Sequence, residues 1–195
     1  MSIYELKPRF QALLRPLTGA LHKAGITANQ VTVAACVVSV LLGGLLAAGL
    51  GGRALFLLVP LWLAVRMALN AIDGMLARDF GQASTLGAYL NELGDVLSDA
   101  ALYAPFALLP GSSPWLVGVV ILLSALAEMA GILGATVGRG RRYDGPMGKS
   151  DRAAVFGALG LAAGAGVSLE PALGWIWLAL SALLALTIAN RMREG

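Results

Sequence analysis

Residues 70–78 read Asn70-Ala-Ile-Asp73-Gly74-Met-Leu-Ala77-Arg78, and residues 87–99 read Gly87-Ala-Tyr-Leu-Asn91-Glu92-Leu-Gly-Asp95-Val-Leu-Ser-Asp99. Both stretches lie in apolar runs, so their polar residues are costly unless they serve a purpose. Asn70 and Asp73 are three apart and share a helix face; Asn91, Asp95 and Asp99 are each four apart and share another. At 1.5 Å per residue, Asn70 and Asp73 stand about 12 and 7 Å above Arg78, and Asn91 and Asp95 about 6 and 12 Å beyond Gly87. Two antiparallel helices joined by a short loop therefore bring Asn70, Asp73, Asn91 and Asp95 to one depth. Clustered oxygen donors of this kind suit Mg²⁺ or Mn²⁺. Gly74 and Gly87 leave room for close approach of a ligand.

The rest of the chain agrees with a membrane setting. Of 195 residues, 58% are hydrophobic and only 13% charged, and mean hydropathy is +0.78. There is too little polar surface to cover a soluble globule, and the composition excludes a disordered chain or a coiled coil. Six apolar stretches reach bilayer-crossing length: 28–50, 54–77, 87–109, 114–137, 152–168 and 171–190. The expected fold is all-α, one domain over 1–195, with six transmembrane helices behind an amphipathic surface helix in 1–25. Phe10, Leu13, Leu14, Leu17 and Leu21 follow helical spacing, with Arg9, Arg15 and Thr18 on other faces, and Pro16 is expected to bend that helix. Thr27 and Gln30 form a capping box that opens the first span.

Twelve of the 14 Lys and Arg residues fall on one side of the six spans; Arg53 lies opposite and Arg66 within the second span. This asymmetry places both termini in the cytoplasm. Trp115, Trp175 and Trp177 are expected in the outer aromatic belt. The single Cys36 excludes an intramolecular disulfide. Glu128 is expected to pair with Arg66, and Glu92 and Asp99 with Arg66 or another intramembrane group. The loop with Arg139, Arg141, Arg142, Lys149 and Arg152 sets topology, and Arg139, Arg142, Lys149 or Arg152 is a candidate ligand for a phosphate on a substrate. A small transporter is disfavoured, because the polar cluster lies toward one face of unbroken spans with no repeat.

Read as one pattern, residues 70–95 resemble the signature of the CDP-alcohol phosphatidyltransferases, D-x-x-D-G-x-x-A-R, eight residues, then G-x-x-x-D-x-x-x-D. The spacing agrees at every position, but Asn70 and Asn91 replace two of the four aspartates. Gly25-Ile-Thr27-Ala-Asn29 and Gly148-Lys149-Ser150 are weaker echoes. The resemblance implies transfer of the phosphatidyl group of a CDP-linked lipid, CDP-diacylglycerol, to an acceptor alcohol, with release of CMP. It implies two divalent ions, Mg²⁺ or Mn²⁺, held by Asp73, Asp95, Asn70 and Asn91, with Asp95 also the general base. Gly74, Ala77, Arg78 and Gly87 would line the nucleotide site. A phosphorylated acceptor such as glycerol 3-phosphate would make the activity phosphatidylglycerophosphate synthase-like. The resemblance further implies a bacterial inner-membrane homodimer that binds no nucleic acid. A CDP-lipid-binding sensor or scaffold is the alternative, since two carboxylates have become amides.

Overall fold

The computed structural model describes residues 3–194, all helices and connecting turns with no strand among them. Residues 1 and 2 of the expected surface helix, and the Lys7 side chain, lie outside the described set. Helix α1 runs Ile3–Lys23, α2 Ala28–Ala47, α3 Leu58–Asp79, α4 Thr85–Tyr103, α5 Pro114–Thr136, α6 Lys149–Gly164 and α7 Glu170–Glu194. Short 3-10 turns at Arg53–Leu57 and Ala104–Leu108 complete the second and third expected spans.

Local chemistry sets the boundaries. The Thr27 hydroxyl accepts from the Gln30 backbone at 3.2 Å, and the Thr27 N–H donates to Gln30 Oε1 at 2.9 Å. Ser84 caps α4 by accepting from the Gly87 N–H, and Ser113 caps α5 ahead of Pro114. Pro16 does not interrupt α1, which stays one helix over 21 residues.

Among the described residues, four segments are long and apolar enough to cross a membrane: Ala28–Ala47, Arg53–Asp79, Pro114–Thr136 and Glu170–Arg193. The expected six are not all of this kind. Helix α4 carries Glu92, Asp95 and Asp99, and α6 has 16 residues and begins with Lys149, Asp151 and Arg152. Both owe their place to packing: α4 against α2 and α5, α6 against α3. Gly43 makes the first contact possible, since a Cβ there would overlap the carbonyl of Ala101.

An aromatic core seals the bundle away from the motif. Tyr103 stacks on Phe156 at 3.6 Å, and Phe106 meets Phe56 and Phe156 edge-on at 5.2 Å. Trp177 belongs to this core rather than to an interfacial belt: it is fully buried and donates to the Ser112 hydroxyl at 3.0 Å. Trp115 and Trp175 are 78% and 76% exposed, as a belt requires.

Helix α1 packs on the motif end of α3. Leu14 and Leu21 pack with Ile72, Met75 and Leu76, Arg15 pairs with Asp79 at 3.4 Å, and His22 stacks on Phe80. Thr18, expected on a polar face, is buried, while Leu13 and Leu17 point outward. The helix thus has two apolar faces, one for α3 and one for lipid.

Candidate active site

The motif residues of α3 and α4 converge. The Asn70 amide nitrogen donates to Asp95 Oδ1 at 3.2 Å, which joins the two halves of the pattern directly. Arg66, one turn before Asn70, donates to the same oxygen at 3.1 Å, to the Asp95 carbonyl at 3.0 Å and to Asp99 Oδ1 at 2.5 Å. Lys149, the first residue of α6, donates to Asp95 Oδ2. Asp95 is therefore clasped from two helices by two cations and an amide.

Asp73 is different. It is buried, and its Oδ2 accepts from the Thr32 hydroxyl of α2 at 2.7 Å. No lysine or arginine nitrogen lies within 4 Å of its carboxylate among the described residues. Thr32 was not a sequence candidate. Its signal was weak, one hydroxyl in the first turns of a helix that also carries Asn29, Gln30 and Ser39.

The glycines act at short range. A Cβ on Gly74 would stand 3.0 Å from an Arg78 guanidinium nitrogen, so Arg78 folds back over that glycine. A Cβ on Gly87 would meet Asn29 Oδ1 at 2.7 Å, so Gly87 admits the start of α2. Ala77 packs against the cluster under α1, and Asn91 is half-buried on α4.

A second set of charges lies deeper. Arg152 is 1% exposed and donates to Asp99 Oδ2 at 3.1 Å and Glu128 Oε1 at 3.0 Å. Glu128 also takes Arg141 at 3.3 Å and Arg191 at 3.6 Å. The expected Glu128–Arg66 pair is replaced by these three arginines, because α6, α7 and the loop 137–148 reach Glu128 while Arg66 is engaged by Asp95 and Asp99. Asp99 does pair with Arg66, and Glu92 pairs with Arg141. Burial works against charge on Arg141, but its bond to Glu92 and that carboxylate's charge hold the guanidinium above its ordinary value.

The loop itself is pinned down. Its backbone returns onto α5 through Arg142 N–H to Gly131 O and Arg139 N–H to Gly134 O, both 2.9 Å. Glycine is needed there, since a Cβ on Gly134 would sit 2.7 Å from the Gly140 oxygen. The Thr187 hydroxyl accepts from Met147 N–H, and Arg191 donates to the Asp144 carbonyl. Of the four cations expected at a substrate phosphate, Arg139 is exposed and Arg142 half-buried beside Asp144. Lys149 and Arg152 are turned inward, to Asp95 and to Asp99 and Glu128.

A cavity of about 170 Å³ opens against this cluster, lined by Arg66, Asn70, Asp99 and Lys149 with Leu63 and Met67. A smaller one, about 60 Å³, lies at the far end beside Arg53 and Glu170. Among the described residues, no three His, Cys, Asp or Glu side chains are grouped to hold a metal. The carboxylate least committed to other charges is Asp73, held at Oδ2 by the Thr32 hydroxyl and paired with no lysine or arginine among the described residues.

Fold and site together define a helical membrane protein with a polar centre built at one end of its bundle. The chain belongs to the CDP-alcohol phosphatidyltransferase family, whose model matches residues 25–187. It is 48% identical to inner membrane protein YnbA of Escherichia coli, over all of this chain and 96% of that one. It is 32% identical to the archaetidylinositol phosphate synthase of Pyrococcus horikoshii, over 53% of each. In fold it resembles the Mycobacterium tuberculosis phosphatidylinositol phosphate synthase PgsA1, solved with manganese and citrate. The TM-score is 0.74 at 19% identity, covering 92% of this chain and 87% of that one.

Proposed function

We propose that the chain transfers the phosphatidyl group of CDP-diacylglycerol to a small phosphorylated alcohol, glycerol 3-phosphate, and releases CMP. The observation that carries this is the Asn70–Asp95 hydrogen bond, which unites both halves of the family pattern beside a cavity. Asp95 takes the proton of the acceptor hydroxyl. The acceptor oxygen bonds to the lipid-side phosphorus, the bond from that phosphorus to the bridging oxygen breaks, and CMP leaves with the electron pair. Arg66 and Asn70 orient the carboxylate, and the negative diphosphate offsets the two cations that otherwise weaken it as a base. Arg78, folded over Gly74, and Gly87 and Ala77 lie on the nucleotide side. Arg139 and Arg142, at the open end, attract the acceptor phosphate. Inositol phosphate is the second acceptor to try, since a relative is named for that chemistry.

Asp73 would hold Mg²⁺ or Mn²⁺, with oxygens of Asn70 and Asn91 as further ligands, and the ion would neutralise charge on the diphosphate. The buried carboxylate without a cationic partner supports this.

The membrane is a bacterial inner membrane, with six crossings, both termini cytoplasmic and two copies per assembly. Leu86, Tyr89, Leu93 and Leu97 support α4 as a crossing helix: they form an exposed apolar stripe while its acids face inward.

The test is CMP release from CDP-diacylglycerol by purified protein in detergent with Mn²⁺, each acceptor in turn, and Asp95→Asn as control. Release that needs acceptor and Asp95 is the expected result. CDP-lipid binding without release from any acceptor would instead make the chain a sensor or scaffold.

A further inference from the structure

The two carboxylates of the pattern are treated unequally. Asp73 is 6% exposed and is held by a neutral side-chain donor, the Thr32 hydroxyl. Asp95 has both oxygens engaged, Oδ1 by Arg66 and Asn70 and Oδ2 by Lys149.

Lys149 is not a loose surface lysine reaching in. It opens α6, whose first turn is closed by the Gly148 N–H to Asp151 Oδ2 bond at 2.9 Å. Three residues on, Arg152 ties the same turn to Asp99 and Glu128. The backbone that delivers the ammonium is thus fixed on both sides. A cation at a helix N-terminus opposes the helix dipole, and carboxylates compensate it here: Asp151 in the same turn and Asp95, which takes the ammonium directly.

The charges decide how many ions fit. The pattern supplies two carboxylates and two amides. Two divalent ions would add four positive charges to Lys149 and Arg66, against Asp73 and Asp95 alone. Asp99 adds little, being shared between Arg66 and Arg152. One ion leaves a centre that an incoming diphosphate can neutralise.

We propose that Lys149 is a resident cation of this centre: its ammonium holds the side of Asp95 that a second divalent ion would need, so the chain takes one exchangeable ion, on Asp73. This rests on Asp73 holding an ion at all. The ammonium keeps two further N–H donors for phosphoryl oxygens entering the adjoining cavity.

The experiment is a Mn²⁺ titration of the full chain in detergent, with free ion read by electron paramagnetic resonance and no substrate present. The wild type is expected to bind one ion per chain. Lys149→Met removes a positive charge beside the site, so its ion is expected to bind at least about tenfold tighter. Asn70→Asp with Asn91→Asp is expected to stay at one ion while Lys149 is present, and to reach two when Lys149→Met is added. Two ions per wild-type chain would overturn the proposal, and that measurement needs no variant. So would two ions in the double aspartate variant with Lys149 intact. No ion at all in the wild type would overturn both this proposal and the metal site on Asp73. CMP release, measured separately, reports on the transferase reading independently of ion count.

Discussion

Replacing Arg152 by methionine separates two roles for the most deeply buried cation among the described residues. Arg152 is fully buried and bonds two carboxylates, Asp99 at 3.1 Å and Glu128 at 3.0 Å. Methionine fills similar space without charge, so the loss is mainly electrostatic. Breaking a buried ion pair by removing one partner costs about 3–5 kcal/mol. Here the lower end applies, because Asp99 keeps Arg66 and Glu128 keeps Arg141 and Arg191. For a chain of this size about 3 kcal/mol lowers Tm by roughly 6–12 °C. The assay is thermal unfolding of the detergent-solubilised protein followed by tryptophan fluorescence. Adding Glu128→Gln to Arg152→Met also takes a carboxylate from Arg141 and the buried Arg191 and is expected to deepen the loss. A Tm within a degree or two of wild type would refute the structural role. An unchanged Tm with a raised KM for the acceptor would return Arg152 to the phosphate site expected from sequence.

Three further outcomes follow from contacts already described. Thr32→Val removes the hydroxyl that bonds Asp73 and is expected to weaken Mn²⁺ binding severalfold with little change in Tm, read by ion titration and unfolding together. Gly43→Val forces α2 from the Ala101 carbonyl and is expected to cost about 2 kcal/mol, a Tm drop of roughly 4–8 °C. In a Cys36→Ala background, a cysteine at Ser168 is expected to label from outside intact cells and one at Gly140 only after permeabilisation; the reverse would refute the assigned topology.

Local signals carried far in this sequence. The capping box at Thr27 and Gln30 formed as read, because both partners lie within one helical turn. The spacing of Asn70 and Asp95 was enough to foresee their contact, because a tight turn leaves antiparallel helices little freedom. Long-range choices were not legible. Glu128 meets Arg152 and Arg191, 24 and 63 residues away, and nothing in its own neighbourhood distinguishes those partners from Arg66. Trp177 resembles an interfacial residue from its position near a span end, and only the packing of Phe106 and Phe156 draws it inside. Lys149 reads equally well as a topology signal, a phosphate ligand or a partner of Asp95, and the fold of the loop decides.

The ionic cluster also has a schedule. Asp99 leaves the ribosome well before Arg152, 53 residues later, and Glu128 precedes Arg191 by 63. At about 5–20 residues per second those intervals last several seconds. During them α4 holds Glu92, Asp95 and Asp99 with only Arg66 already made among their cationic partners, and each uncompensated acid opposes entry into lipid by about 2.5–3.5 kcal/mol. With α4 as a crossing helix, as proposed above, it is expected to wait at the membrane surface or beside the insertion machinery until α6 is made, and the order of synthesis then makes the second half of the chain the chaperone of the first.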